Sequence, residues 1–314
     1  MKKREQLRAG VKILMEESGT NKKPMSMTSI AKMCNISPSV LSQWLNDKYP
    51  GSIERIDRVV QDFLARQKEK KECSFKEGFL DVRNARLVFD LCRMCHVENE
   101  IGVITGTAGL GKTTSLKEYS SRHEDVIMID VDNTYTTKVL ISEIHSACRL
   151  PSGKLLSHIL FEQVVKKLKG SNRLLIIDEA EHLSVKTLDL VRRLHDRTGI
   201  GIVISGLPQF LTALRSRRGD YEYIYSRIGL KTVLGKWNLA DTKTLVSQSI
   251  PGIFDSEISE LGISDFAIKM FHEYSRGNAR TLSKLVKRPV RLAKLNKRSI
   301  DKQIIKKASG LLEI

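Results

Sequence analysis

The segment from Gly106 to Thr113 constrains the fold of this chain more than any other part of the sequence. Its spacing, Gly-x-x-x-x-Gly-Lys-Thr, is that of a phosphate-binding loop. An apolar run from Ile101 to Thr105 leads into it, and a helical pattern from Thr114 to about Arg122 follows. The sequence therefore predicts a buried parallel strand, a glycine-rich loop and a helix N-terminus that together bind phosphate groups.

Each residue type in this loop has a part in that chemistry. Glycines let successive backbone N–H groups face one concavity, and the dipole of the following helix favours an anion there. Lys112 is expected to reach the β- and γ-phosphates of a nucleoside triphosphate, and the Thr113 hydroxyl to hold Mg²⁺. The residues predicted to contact the nucleotide are Gly106, Thr107, Ala108, Gly109, Leu110, Gly111, Lys112, Thr113 and Thr114.

A second motif downstream completes the predicted site. Four apolar residues from Leu174 to Ile177 predict a strand buried on both faces, and the carboxylates Asp178 and Glu179 follow it. Ligands bind at the carboxyl ends of the strands in open α/β sheets. We therefore expect Asp178 to hold Mg²⁺, directly or through water, and Glu179 to polarise the attacking water.

Strand and helix patterns alternate from about residue 75 to 235, which predicts a doubly wound, mostly parallel sheet. Further strands are predicted at 126–130, 200–205 and 229–234, and helices at 137–149, 155–169 and 185–197. Two polar side chains of this region bear on hydrolysis. Ser205 could sense the γ-phosphate, and Arg227 could reach the phosphates of a neighbouring subunit.

Residues 28–45 match a helix-turn-helix, within a small helical domain predicted for residues 1 to about 70. The side chains expected to bury the face shared by the two helices are Ile30, Cys34, Ile36, Leu41 and Trp44. Asn35 stands at the turn, where a left-handed backbone conformation is needed, and Ser37 is placed to cap the second helix. A charged linker is predicted from Gln67 to Glu72.

The outward side chains of this module indicate how it would contact DNA. Those that would face the groove are Ser39, Ser42 and Gln43, with Asn46 and Lys48 beside the phosphate backbone. Because these side chains are few and mostly uncharged, we expect weak or non-specific binding. The alternative is a helical domain that only packs against or docks onto another protein.

The chain is strongly basic, since 53 Lys and Arg residues against 36 Asp and Glu give its 314 residues a net charge of +17. A protein with this balance usually binds a polyanion, and nucleic acid is the first candidate. The helical pattern from Trp237 onward contains many basic residues, which favours DNA or an acidic partner. Gly277 to Arg280 opens one of these helices, so Arg280 could fold back onto a nucleotide.

The five cysteines are odd in number. Cys92 and Cys95 have C-x-x-C spacing, but within a helical pattern and with no second pair, so core or free thiols are favoured over a zinc site. We found no signal-peptide pattern and no long apolar span in the sequence. The expectation is therefore a reducing, cytoplasmic setting with no membrane partner.

These residues together resemble the AAA+ ATPases, and among them the target-DNA activators of the phage Mu transposition protein B family. The ATPase part of the likeness rests on the phosphate loop, on Ile176 to Leu183 and on Ser226 to Ile228. The N-terminal part rests on Leu7 to Gly10 and on the helix-turn-helix with its Asn46 to Tyr49 ending. Phosphate loops of this type occur in many ATPases, so the N-terminal module joined to this ATPase order is what narrows the family.

The resemblance implies an α/β fold, an AAA+ doubly wound parallel sheet with a C-terminal helical lid and an N-terminal all-α helix-turn-helix domain. It implies domains at residues 1–72, 73–236 and 237–314. ATP and Mg²⁺ are the implied cofactors, with Thr113 and Asp178 holding the metal. The residues implied in catalysis or sensing are Lys112, Glu179 as base, Arg227 as arginine finger and Arg280 as second sensor.

The implied function is an ATP-dependent protein that assembles as an oligomer or filament on target DNA. It would recruit and stimulate a DDE transposase and would be released when ATP is hydrolysed. The implied partners are double-stranded DNA, bound largely without sequence preference, the transposase, and further copies of the chain in a helical oligomer. The implied location is the host cytoplasm if a phage encodes the protein.

One departure from the family pattern concerns the first sensor. The family tends to carry Asn where this chain has Leu207, so either Ser205 takes that role or hydrolysis is slow. Two alternative functions remain open at this point. One is a helicase loader or insertion-sequence helper, and the other is a nucleotide-responsive helix-turn-helix transcription regulator.

Overall fold

Two units make up the chain, residues 1–75 and residues 76–314, which we call unit 1 and unit 2. The computed structural model describes residues 2–16, 24–72, 78–151, 153, 155–214, 222–249, 265–296 and 302–310. Cys73, one of the five cysteines, lies outside the described residues. None of the described helices combines the length and the apolar character needed to cross a membrane.

The described part of unit 1 is helical, with α1 (Lys2–Glu16), α2 (Met27–Met33), α3 (Pro38–Leu45) and α4 (Ile53–Glu72). The Ser37 hydroxyl accepts a hydrogen bond from the Val40 N–H at the start of α3, and Asn35 in the preceding turn has a φ of 52°. Both features agree with the prediction. The prediction of a linker from Gln67 was wrong, because α4 continues to Glu72. The physical reason is that Lys, Glu and Gln have high helix propensity, so they continue a helix whose earlier turns are stabilised by packing.

The core of unit 1 lies between these helices. Its buried members are Val11, Ile30, Ala31, Cys34, Leu41, Trp44, Ile56, Val60 and Phe63. Ile36, which was predicted to be buried with them, is only half-buried. These apolar positions recur along α2 and α3 at the spacing of a helix, so each helix has one apolar face that packs against the other helices.

A polar network joins the two N-terminal stretches on which the family resemblance rests. The Arg8 guanidinium bonds to the Asp47 carboxylate at 2.6 Å and lies over the Trp44 ring, 5.5 Å from its centroid. The Trp44 indole N–H donates to Asp57 at 2.8 Å. The Arg8 hydrogen bond holds the pKa of the Asp47 carboxyl below its usual range. The network therefore ties α1 to the end of α3 and to α4.

Unit 2 contains a sheet of five parallel strands in the order β2-β3-β4-β1-β5. The strands are β1 (Ile101–Thr105), β2 (Val126–Asp130), β3 (Leu174–Asp178), β4 (Gly201–Gly206) and β5 (Ile228–Val233). Every residue of the three inner strands is buried. This confirms the predicted α/β class and parallel sheet, and it explains why the inner strands are continuous apolar runs without alternation.

Helices cover both faces of the sheet. They are α5 (Arg83–Glu98), α6 (Lys112–Arg122), α7 (Thr137–Ala147), α8 (Ser157–Leu168), α9 (Val185–Thr198), α10 (Pro208–Leu214) and α11 (Glu222–Tyr225). Side chains of α5 and α6 share one apolar cluster with alternate strand residues such as Ile104 and Ile176. Side chains of α7 to α11 share a second cluster with the intervening residues such as Val103 and Ile177. The sheet is therefore doubly wound, as predicted.

Four helices follow the sheet, as the helical pattern predicted: α12 (Leu239–Ser249), α13 (Asp265–Ser275), α14 (Ala279–Asn296) and α15 (Lys302–Gly310). Consecutive members of this group pack against one another. Phe271 of α13 and Leu282 and Val286 of α14 are fully buried between them. Their apolar faces meet in the bundle, so basic side chains such as Lys284 lie on the outer faces.

The packing of α5 on the sheet explains two sequence features. Cys92 and Cys95 are fully buried in that cluster, and burial raises the pKa of both thiols. Neither belongs to a group of His, Cys, Asp and Glu side chains that could hold a metal among the described residues. Gly201 at the start of β4 lies against the backbone of α5, and a Cβ there would overlap the carbonyl oxygen of Cys95.

We therefore expect Gly201→Ala to lower the free energy of unfolding by about 1–3 kcal/mol, because the clash is with backbone and cannot be relieved by a rotamer change. Gly235→Ala is the matched control, since nothing lies within 4 Å of a Cβ at that position. Thermal or urea unfolding of both variants would measure the effect. Equal stability of the two variants would contradict the close approach of α5 to β4.

Candidate functional site

The predicted phosphate loop connects β1 to α6 at the C-terminal ends of the strands. Gly109 and Gly111 have φ values of 83° and 94°, which other residues rarely adopt. Within the described part of the chain, the backbone N–H groups from Thr107 to Gly111 donate to no protein acceptor. A run of unpaired N–H groups before a helix N-terminus is an anion site, so the local geometry suits a phosphate.

The carbonyl groups of the same loop, in contrast, all accept hydrogen bonds, and those of Ala108, Gly109 and Leu110 accept them from distant parts of the chain. The hydrogen bonds run from Asn278 Nδ2 to Ala108 (2.8 Å), from the Arg280 N–H to Gly109 (3.2 Å), and from Trp237 Nε1 (3.3 Å) and Asn84 Nδ2 (3.4 Å) to Leu110. Because the loop carbonyl groups are already hydrogen-bonded, the unpaired N–H groups are the polar groups of the loop that remain available to a ligand.

Lys112 lies at the first position of α6 and is only 6% exposed. Its ammonium group donates to the carbonyl of Gly106 at 2.6 Å and to that of Thr107 at 3.4 Å. A buried ammonium needs such partners to offset the loss of water. These contacts hold the charge inside the loop, beside the half-buried Thr113.

The two carboxylates predicted after β3 differ in their surroundings. Asp178 is fully buried; its Oδ1 accepts from the Glu179 N–H at 3.0 Å, whereas its Oδ2 has no hydrogen-bond partner among the described residues. A buried carboxylate oxygen without a partner is a suitable ligand for a hard cation such as Mg²⁺. Glu179 has a φ of 57°, an uncommon left-handed conformation for this residue type, and directs its side chain to the cavity described below.

The surroundings of Glu179 favour its protonated form. Burial is the main cause that raises the pKa of this carboxyl, followed by the negative charges of Glu181 and Asp178, and the positive charge of Lys112 opposes them. A carboxyl group with a raised pKa is a stronger proton acceptor once ionised. This environment suits a group that takes a proton from water.

Glu181 is a third carboxylate that the sequence analysis did not single out. Its Oε2 accepts a hydrogen bond from the Leu207 N–H at 3.2 Å, after the end of β4, and its Oε1 is buried without a partner among the described residues. Ligand atoms of Glu179, Glu181 and His182 lie within 4.8 Å of one another. The run of acidic residues after Asp178 was the available signal.

The structure also shows where the two candidates for first sensor lie. Ser205 is fully buried within β4, and its hydroxyl has no partner in the described part of the chain. Leu207, two residues later, lines the cavity. Ser205 is therefore inside the sheet, one strand away from Asp178, and the apolar, half-buried Leu207 lines the cavity instead.

A cavity of about 630 Å³ opens over the loop, within the range typical of small-molecule sites. The predicted residues that line it are Ala108, Gly109, Leu110, Gly111, Lys112, Thr113, Thr114, Glu179 and Arg280. The lining residues that were not predicted include Phe79, Leu80, Val82, Trp237, Lys284 and Lys287. The lining thus combines apolar and aromatic side chains with cationic ones, which suits a ligand with a flat base and a phosphate chain.

Comparison with known proteins agrees with this geometry. A family model described as an AAA domain matches residues 96–214. The ATP-dependent target DNA activator B of Escherichia phage Mu is 26% identical over 242 residues, 76% of this chain and 76% of that protein. The Mu-like prophage FluMu DNA transposition protein B of Haemophilus influenzae is 25% identical over 230 residues, 70% of this chain and 79% of that protein.

This chain contains an AAA domain and is a homologue of the Mu transposition proteins B. Solved structures show the same fold. The ORC2 protein of Aeropyrum pernix has a TM-score of 0.55 at 17% identity, covering 75% of this chain and 69% of that one. RuvB of Thermotoga maritima has a TM-score of 0.51 at 18% identity, covering 75% of this chain and 71% of that one.

Arg227 lies away from the cavity of its own chain. Ile228, the next residue, pairs with Ile101 at the start of β1, whereas the phosphate loop follows the end of β1. Five residues of strand separate the two levels, roughly 17 Å. The exposed Arg227 guanidinium donates to the Asp196 carboxylate at 3.2 Å.

The predicted DNA-contacting residues lie in unit 1, on the outer surface of α3 and after its end. Ser39, Gln43 and Lys48 are exposed, and Ser42 is half-buried. The Ser39 hydroxyl is hydrogen-bonded to that of Ser37 at 2.8 Å. These positions are accessible in unit 1, and that they contact DNA stays a prediction.

The two tryptophans of the chain provide a direct test for a ligand in the cavity. Trp237 lines the cavity, whereas Trp44 is buried in unit 1. We expect ATP to change the fluorescence of the wild type and of Trp44→Phe, which retains Trp237, but not of Trp237→Phe. A nucleotide-dependent change that persists in Trp237→Phe and is lost in Trp44→Phe would place the ligand elsewhere.

Proposed function

We propose that this AAA+ protein is a Mg²⁺-dependent ATPase that assembles on target DNA and delivers it to a DDE transposase. The observation that carries the ATPase part is the phosphate loop, whose N–H groups from Thr107 to Gly111 have no acceptor among the described residues and whose Lys112 lines the cavity. The names of the homologues, ATP-dependent target DNA activators, support the DNA part.

The proposed roles follow from the positions of the side chains. The loop N–H groups and Lys112 bind the β- and γ-phosphates, and Thr113 with Asp178 holds Mg²⁺, which when bound offsets the charge on the phosphate oxygens. Glu179 accepts a proton from the attacking water. Arg280, at the start of α14 and on the cavity wall, contacts the phosphates as a second sensor.

We propose that Arg227 acts on the nucleotide of a neighbouring copy. The arginine lies at the N-terminal ends of the strands, whereas the phosphate loop of its own chain lies at their C-terminal ends. A head-to-tail contact between copies would bring this arginine to the cavity of the next copy. Repetition of such a contact gives a ring or a helical filament. The site would then be complete only in the assembly, which makes ATP a switch between free and assembled protein.

The domain roles complete the proposal. Residues 1–72 form the helix-turn-helix unit with Ser39, Ser42, Gln43 and Lys48 as weak DNA contacts, residues 73–236 form the ATPase core, and residues 237–314 form a basic lid. The net charge of +17 supports DNA binding through phosphates with little base readout. Contact with the transposase would stimulate hydrolysis and release the subunits in the host cytoplasm.

We expect filaments on DNA with ATP, but not with ADP or with Lys112→Ala, as seen by electron microscopy and by sedimentation with random-sequence duplex. Lys166→Ala, which removes an equal charge from an exposed position at the C-terminal end of α8, is the matched control and should assemble normally. Binding should weaken steeply with salt. Equal assembly in all nucleotide states and variants would exclude the switch, and protection of one discrete DNA site would favour a transcription regulator.

We expect Glu179→Gln, which keeps the phosphate loop, and Arg227→Ala each to lose hydrolysis, by about 10³-fold for the arginine, and a 1:1 mixture of the two to recover part of it. Recovery arises because roughly a quarter of the junctions in a random head-to-tail array would combine an intact Glu179 with an intact arginine. Arg192→Ala is the control, since Arg192 also pairs with Asp196. A mixture as inactive as its components would show that Arg227 does not act between copies.

A further inference from the structure

The N-terminus of α14 contacts the phosphate loop through one side chain, that of Asn278. Its Nδ2 donates to the Ala108 carbonyl at 2.8 Å, and its Oδ1 accepts from the Thr281 N–H at 3.1 Å. An uncharged amide carries both a donor and an acceptor, so Asn can cap a helix and hold a carbonyl group at the same time. The two contacting segments are 170 residues apart in the chain.

The backbone on both sides is shaped to allow this contact. Arg276 and Gly277 adopt left-handed conformations, with φ values of 51° and 72°, and the Gly277 carbonyl accepts from the Trp237 N–H at 2.9 Å. On the loop side, a Cβ at Gly109 would overlap the Asn278 amide. Gly109 is therefore required by its φ and by the approach of Asn278.

A second hydrogen bond reinforces the first, because the Arg280 N–H donates to the Gly109 carbonyl at 3.2 Å. Arg280, Lys284 and Lys287 then follow along the cavity wall at helical spacing. Any change in the orientation of α14 relative to the loop moves these three cations together. α14 also packs against α13 and α15, so the whole C-terminal group is connected to the loop at this point.

We propose that Asn278 is a positioning residue that links the phosphate loop to α14, so that phosphates bound in the loop fix the orientation of the basic C-terminal helices. The inference rests on the proposed nucleotide site. Coupling of this kind is reciprocal. The contact that lets a nucleotide order α14 also lets an ordered α14 strengthen nucleotide binding.

The test compares three variants of the full chain. Asn278→Ser keeps a helix-capping side chain but is too short to donate to Ala108, and Asn278→Ala removes both the cap and the loop contact. Asn278→Asp is avoided, because its charge would repel phosphates directly. Thr281→Ala is the control, since it changes the same turn of α14 and leaves the backbone N–H that Asn278 caps. The measurements are ATP affinity, melting temperature without nucleotide, and amide hydrogen exchange with and without ATP.

We expect ATP to slow exchange in α14 of the wild type and of Thr281→Ala. In Asn278→Ser, the melting temperature should be unchanged, ATP should bind roughly 3- to 10-fold more weakly, and saturating ATP should protect the loop and α6 but not α14. Asn278→Ala should behave in the same way and also melt about 2–4 °C lower.

A purely structural role gives a different pattern. If Asn278→Ser binds ATP with wild-type affinity and ATP still protects α14, the inference is overturned while the nucleotide site stands. If the wild type binds no ATP, the proposed function fails, and the inference fails with it. Loss of melting temperature in Asn278→Ala alone, with unchanged affinity and protection, would likewise reduce Asn278 to a helix cap.

Discussion

The site depends on hydrogen bonds within the protein, those that the carbonyl groups of the phosphate loop accept. A glycine-rich loop has as many carbonyl groups as N–H groups, and it attracts an anion only when the carbonyl dipoles are turned away and bonded elsewhere. Here Asn278 at the start of α14, Trp237 in the segment before α12 and Asn84 of α5 supply the donors for that purpose. The second unit is therefore built so that α5 and the C-terminal helices maintain the polarity of a loop that lies between them.

That polarity brings opposite charges close together. Lys112 is buried beside the loop, and Asp178 is buried at the end of β3, two strands away from β1, with one oxygen that has no partner among the described residues. Burial is expensive for each charge. The pKa of Glu179 is raised by the partial burial of its own carboxyl group and by the repulsion from Glu181 and Asp178. A polyanionic ligand with a divalent cation would satisfy both sets of groups at once, which is why the residues fit a metal-bound triphosphate better than either component alone.

The local parts of this molecule could be read from the sequence, and the long-range parts could not. Short apolar runs predicted the strands of the sheet because inner parallel strands are buried on both faces, and the spacing from Gly106 to Thr113 predicted the loop. The Asn278 contact joins segments 170 residues apart and has no local pattern. Only the tertiary fold brings Glu181 to the N–H of Leu207. The end of α4 was missed for another reason, because the high helix propensity of its charged residues keeps them helical where a linker was predicted.

The position of Arg227 limits what a single copy can do. In a parallel sheet, every loop that follows a strand lies at the C-terminal ends of the strands, and every residue that precedes a strand lies at their N-terminal ends. An arginine that precedes β5 is therefore excluded from the cavity of its own chain by the length of the strand, whatever its rotamer. In the isolated chain its charge is paired with Asp196, which already bonds to Arg192. Asp196 thus keeps a partner when Arg227 leaves, so Arg227 can contact a neighbouring copy without leaving the Asp196 carboxylate unpaired.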